Sequence, residues 1–169
     1  RKSIPAIKSS VEKLAKKYGR KIECTIPDFI KNIDKSMEFY TFPTPKELSE
    51  SDIDGLDSCS LGYRSPYILD TVRAVNQKEI DLNELNKLGD TQLLNALMSL
   101  KGVGVKVANC VALFGYHRIA SFPIDVWIKR MIDENYGGEF PLHLYEGYAG
   151  IIQQYIFYYG RESTKHSGI

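Results

Sequence analysis

The residues best placed for chemistry lie in one segment, Leu97-Met98-Ser99-Leu100-Lys101-Gly102-Val103-Gly104-Val105-Lys106-Val107-Ala108. It reads as a helix, a tight Gly-x-Gly turn and a second helix. The glycines let the backbone turn sharply and approach a ligand with no Cβ in the way. The second helix opens with free N–H groups and the positive end of its dipole, a setting that favours an anion such as a phosphate. The same turn would also serve a plain αα-hairpin that uses glycine only to reverse direction.

Lys106 sits just inside the second helix, two residues past Gly104, with Lys101 close by. A helix N-terminus disfavours a second positive charge, and so favours the neutral, nucleophilic form of an amine placed there. Nineteen residues on comes Phe122-Pro123-Ile124-Asp125-Val126-Trp127. Asp125 alone reads as a helix N-cap. Facing Lys106 across a groove, it would complete a pair able to cleave an N-glycosidic bond. The amine would attack the sugar, and the carboxylate would steady the cationic transition state.

The elements that must position this pair are helical. Ile4, Ile7, Val11, Leu14, Ala15 and Tyr18 recur at helical spacing, with Ser3 as cap, Pro5 in the first turn and Gly19 as stop. Arg20 to Phe42 is weakly patterned, with a short extended piece at Met37–Phe42. Thr44 and Glu47 form a capping box, and Ser65-Pro66 opens a helix to about Asn76. One or two turns follow between Asp81 and Leu88. Asp90 is expected to cap a helix from about Thr91 to Leu100, and the hairpin partner runs from about Val105 to Phe114. Asp125 is expected to cap a helix to about Asn135, Gly137-Gly138 to turn, and a last helix to run from about His143 to Tyr159. The fold class is all-α, short helices around one or two cores, with the whole chain 1–169 taken as one domain and the hairpin at about 91–114.

Composition narrows the classes. The chain has 169 residues, 43% hydrophobic and 25% charged, which excludes disordered and fibrous classes. A net charge of +1 gives no global bias toward nucleic acid or membrane. No apolar run is long enough to span a membrane, and no signal peptide is apparent. Cys24, Cys59 and Cys110 are too far apart for a metal-type cluster and odd in number for a disulfide framework. A cytoplasmic monomer is the simplest expectation. The chain begins at Arg1, without Met, in a helical pattern, which suggests a piece of something longer.

Leu100-Lys101-Gly102-Val103-Gly104 with Lys106, then Pro123-Ile124-Asp125, resembles the helix-hairpin-helix DNA glycosylase superfamily; Gly62-Tyr63-Arg64, Cys110, and Tyr148-Ala149-Gly150 with Gln153 and Phe157 are similar, within it, to the bacterial 8-oxoguanine DNA glycosylases. The resemblance runs from about Ile4 to Phe157. It implies a bifunctional DNA glycosylase and β-lyase of base excision repair, acting on damaged double-stranded DNA in the nucleoid. Lys106 would be the nucleophile and Asp125 the catalytic carboxylate. Lys101, Gly102, Val103 and Gly104 would hold the DNA backbone, and Tyr63 and Arg64 would enter the duplex where the base left. Cys110 and Phe157 would face the two sides of the extruded base, with Gln153 at its edge. The basic stretch Lys8, Lys13, Lys16, Lys17, Arg20 and Lys21 would assist at longer range. The resemblance implies no organic cofactor and no iron–sulfur cluster, and a monovalent cation, Na⁺ or K⁺, on the carbonyls of Met98, Leu100 and Val103.

The chain departs from the family in four places. Arg1-Lys2-Ser3 stands where the family has an asparagine-rich stretch. Ala6 stands where the eukaryotic members have an arginine that reads the opposite cytosine. Trp127 replaces their histidine, as in bacterial members. The family's N-terminal β-rich domain, which supplies one pocket wall, has no counterpart here, so substrate identity is less fixed than reaction class. A glycosylase for another lesion, such as an alkylated purine or an oxidised pyrimidine, and a non-catalytic hairpin DNA-binding module both stay open.

Overall fold

A computed structural model describes residues 2–23 and 38–166, with side chains to 162. Arg1, Cys24 and Met37 lie outside the described residues. The chain divides into two compact units, 1–81 and 82–169.

The first unit is built on α1 (Ile4–Tyr18). Ser3 caps it through the amide of Ala6, and Gly19 ends it, its N–H donating to the carbonyl of Ala15 at 2.8 Å. The strands β1 (Lys21–Ile22) and β2 (Phe39–Tyr40) pair antiparallel. They are the only strands among the described residues. Glu38 clasps this pair, accepting from Lys21 at 2.6 Å and Tyr40 at 2.9 Å. These bonds hold its carboxyl down at about 2. The Thr44–Glu47 capping box forms as expected and opens a 3₁₀ turn, Glu47–Glu50. Helices α2 (Ile53–Ser58) and α3 (Ser65–Asn76) complete the unit. Its core is Leu14, Leu48, Leu56, Cys59, Leu61 and Val72.

The second unit holds α4 (Leu82–Leu85), α5 (Asp90–Met98), α6 (Val105–Gly115), α7 (Val126–Tyr136) and α8 (Ala149–His166). Helices α5 and α6 pack as one hairpin and α7 and α8 as another pair. Leu93 and Leu97 of α5 are buried, as are Ala108 and Ala112 of α6. The small alanines, one turn apart, let a helix come close. Arg118, after α6, donates to the carbonyls of Asn86 at 2.7 Å and Leu88 at 3.1 Å, fixing the segment that leads into α5.

Two expectations are corrected. Asp90 is the first residue of α5, and Gly89 is its N-cap. Gly89 takes the extended conformation a cap needs, and Gln92 accepts its N–H at 3.4 Å. The last helix does not run from His143 to Tyr159. A 3₁₀ turn, Leu142–Tyr145, precedes α8, because Gly147 at φ +84° breaks the helical path.

Candidate active site

The hairpin turn has the geometry its glycines permit. Gly102 sits at φ +82°, a conformation that disfavours any side chain. The Val103 N–H donates to the carbonyl of Leu100 at 3.1 Å, which closes the turn. Gly104 caps α6 in extended conformation, and a Cβ there would meet nothing within 4 Å. No side chain caps the first turn of α6, and that turn holds no acidic residue. Val105, Lys106 and Val107 are all exposed on it. The positive end of α6 therefore faces outward uncovered, with Lys106 beside it.

Asp125 caps α7: its Oδ1 accepts the N–H of Ile128 at 2.9 Å. It is half-buried. Ile128, which it holds, is fully buried, so the cap is anchored in the core of this unit. The segment before Asp125 is pinned at three points. Gly150 N–H donates to the carbonyl of Ile119 at 2.8 Å, and Gln153 Nε2 donates to the carbonyl of Pro123 at 3.0 Å. Phe122 stacks on Phe140, centroids 5.3 Å apart, and Phe140 stacks on Tyr145 at 5.4 Å. Sequence reasoning missed this aromatic ladder.

The other expected residues divide. Cys110 is half-buried and unpaired on α6, one turn past Lys106. Phe157 is half-buried on α8, with the Arg161 guanidinium 5.9 Å from its ring centroid. Gln153 is buried, not a surface residue. One cavity of this unit, about 260 Å³, is lined by Met131, Asn135, Tyr136, Tyr155, Ile156 and Tyr159; Cys110, Gln153 and Phe157 do not line it. Trp127 is exposed. Among the described residues no group of His, Cys, Asp and Glu could hold a metal ion, and no helix is long and apolar enough to cross a membrane.

In the first unit Tyr63 is 71% exposed, and the Arg64 guanidinium lies 4.4 Å from its ring centroid. They follow a loop that two left-handed residues shape, Ser60 at φ +62° and Gly62 at φ +58°. The basic stretch is largely committed. Lys8 pairs with Glu12, Lys16 and Lys21 with Glu38, and Arg20 with Glu47. Lys13 donates to Ser60 Oγ at 2.8 Å and Lys17 to Ser58 Oγ at 2.8 Å, so both brace the loop before Tyr63.

No protein-family model matches the chain. It is 31% identical to a probable N-glycosylase/DNA lyase of Methanothermobacter thermautotrophicus, in a match that covers 74% of this chain and 49% of that protein. It superposes on MBOgg1, solved in complex with a low-affinity DNA ligand, at TM-score 0.85 and 35% identity, covering 97% of this chain and 56% of that one. The Clostridium acetobutylicum 8-oxoguanine glycosylase/lyase, solved with double-stranded DNA containing cytosine opposite 8-oxoG, gives TM-score 0.85 and 29% identity, again over 97% and 56%. The chain thus spans about half the length of the relatives it matches.

Proposed function

Since the chain belongs to the helix-hairpin-helix DNA glycosylase superfamily, with 8-oxoguanine N-glycosylase/DNA lyases as its relatives, we propose that it excises 8-oxoguanine from double-stranded DNA and cleaves the strand through a Lys106 Schiff base. One observation carries this reading: Lys106 lies exposed in the first turn of α6, directly behind the Gly-x-Gly turn, and no side chain caps the amides of that first turn. A phosphate at those amides would bring a deoxyribose within the range of one amine.

The Lys106 amine adds to C1′ as the C1′–N9 bond breaks, and the purine leaves with a proton. Asp125, held by Ile128, stabilises positive charge at the sugar and moves the proton from the attacking nitrogen. Ring opening gives the Schiff base, loss of a C2′ proton breaks the C3′–O bond, and water releases the enzyme. Cys110 and Phe157 are proposed for the two faces of the flipped base, with Gln153 near its edge. Lys101 joins Gly102, Val103 and Gly104 at the DNA backbone. Tyr63 and Arg64, stacked as one unit, are proposed to fill the space the base leaves.

The end of α5 fits a monovalent cation. Its last turn has no basic residue, so the negative end of the dipole meets no positive charge from that turn; Ser99 Oγ donates to the carbonyl of Ala96 there at 2.8 Å. The carbonyls of Met98, Leu100 and Val103 would hold Na⁺ or K⁺, which would neutralise charge between the hairpin and a phosphate. A lesion panel tests the substrate: borohydride trapping on duplexes carrying 8-oxoguanine, an alkylated purine or an oxidised pyrimidine. Trapping confined to 8-oxoguanine is expected; trapping only on another lesion would move the assignment there.

A further inference from the structure

We propose that Gln153 is a positioning residue for Asp125, acting through the carbonyl of Pro123. This rests on the catalytic reading of Asp125 above.

Gln153 is only 4% exposed, and its side chain is engaged at both ends. Nε2 donates to Pro123 O at 3.0 Å, and Oε1 accepts from Gln154 Nε2. Pro123 lies two residues before Asp125 and is itself buried. Proline has no N–H, so the backbone at this point can be held only by its carbonyl. Gln153 supplies that hold from α8. The same end of α8 is already seated against this loop. Gly150 donates to Ile119, and a Cβ on Gly150 would come to 2.5 Å from Ser121 O and 2.6 Å from Leu113 Cδ1. The loop from Ile119 to Asp125 thus takes its register from α8, and its last residue is the cap of α7.

Replacing the amide by an apolar group leaves a buried carbonyl unpaired, and the loop relaxes to satisfy it. Small displacements of a catalytic group lower the rate strongly. Gln153 therefore acts on the carboxylate whether or not a base occupies the pocket. An edge contact to the base, by contrast, matters only while a base is present. An abasic site separates the two.

The experiment is single-turnover borohydride trapping on two duplexes, one with 8-oxoguanine and one with a preformed abasic site. The proteins are the wild type, Gln153→Leu, Asp125→Asn and the double variant, each checked for its melting temperature. Gln153→Leu is expected to lose about tenfold or more on both duplexes. In the Asp125→Asn background the same change is expected to alter the rate on the abasic duplex by less than about twofold, because there the two side chains act on one step. Normal trapping of the abasic duplex by Gln153→Leu, or losses that multiply on it in the double variant, would overturn the proposal. If Gln153→Leu does not fold, Gln153→Glu is read instead. Its carboxyl donates to Pro123 only when protonated, so its rate relative to wild type should rise as the pH falls; a flat ratio would overturn the proposal. Failure of the wild type to trap on either duplex would remove the catalytic reading itself, and the positioning role with it.

Discussion

Asp125 Oδ1 accepts the backbone N–H of Ile128 at 2.9 Å, so the carboxylate proposed for chemistry is also the cap of α7. The two roles respond differently to Asp125→Asn. Asparagine keeps the capping oxygen, so stability should fall by less than about 1 kcal/mol. The charge is lost, so excision per folded molecule should fall steeply. Denaturant unfolding and single-turnover excision measure the two. A sharp loss of stability with unchanged turnover would make Asp125 a cap alone.

The glycines of the second unit should separate in the same way. Gly150→Ala drives a methyl onto Ser121 O and Leu113, and should cost about 1–3 kcal/mol of stability. Gly104→Ala meets nothing within 4 Å, so it should cost only what alanine costs in place of glycine at an N-cap, about 0.5–1 kcal/mol, and less than Gly150→Ala. Its methyl would stand on the uncovered face of the turn, so DNA affinity should weaken. Equal unfolding midpoints for the two variants would contradict this.

The opposite base should be read weakly. Ala6 on α1 offers no donor, and a bidentate arginine contact is worth about 1–3 kcal/mol, or roughly ten- to a hundredfold. Lys2 is already committed, its Nζ donating to Ser10 Oγ and the carbonyl of Ser60. Excision opposite A, C, G and T should therefore be similar. A preference for cytosine above about a hundredfold would show that another residue reads it.

Acid should loosen the β1–β2 pair. Lys21 first, then Tyr40, hold the Glu38 carboxyl down to about 2, below the ordinary glutamate value. A depressed carboxyl contributes stability above its unfolded value, and that contribution is lost as pH falls toward 2. An NMR titration of Glu38 should show its midpoint well below that of an exposed glutamate; an ordinary midpoint would contradict the clasp.

Much of this was legible in the sequence where a local rule dominates. Ser3, Gly19, the Thr44–Glu47 box, Ser65-Pro66, Asp125 and Gly137 each act within a turn of their own position. The Gly-x-Gly hairpin with Lys106 was legible for the same reason. Asp90 misled because a good capping side chain sat one residue after a glycine whose extended backbone took the role. The pins on the Asp125 loop could not be read, because Gln153–Pro123 and Phe122–Phe140 join distant residues with no shared period. The braces Lys13–Ser60 and Lys17–Ser58 were hidden likewise, and these lysines read as having only a longer-range role toward DNA.

The central claim is that Lys106 is the nucleophile. The most direct measurement is borohydride trapping of wild type and Lys106→Gln on one 8-oxoguanine duplex, with DNA affinity measured alongside. The hairpin amides survive the substitution, so affinity should stay within a few fold, while trapping and strand cleavage vanish, since removing an activated nucleophile costs many orders of magnitude. A Lys106→Gln protein that still forms the covalent adduct and cuts the strand at near the wild-type rate would contradict the account.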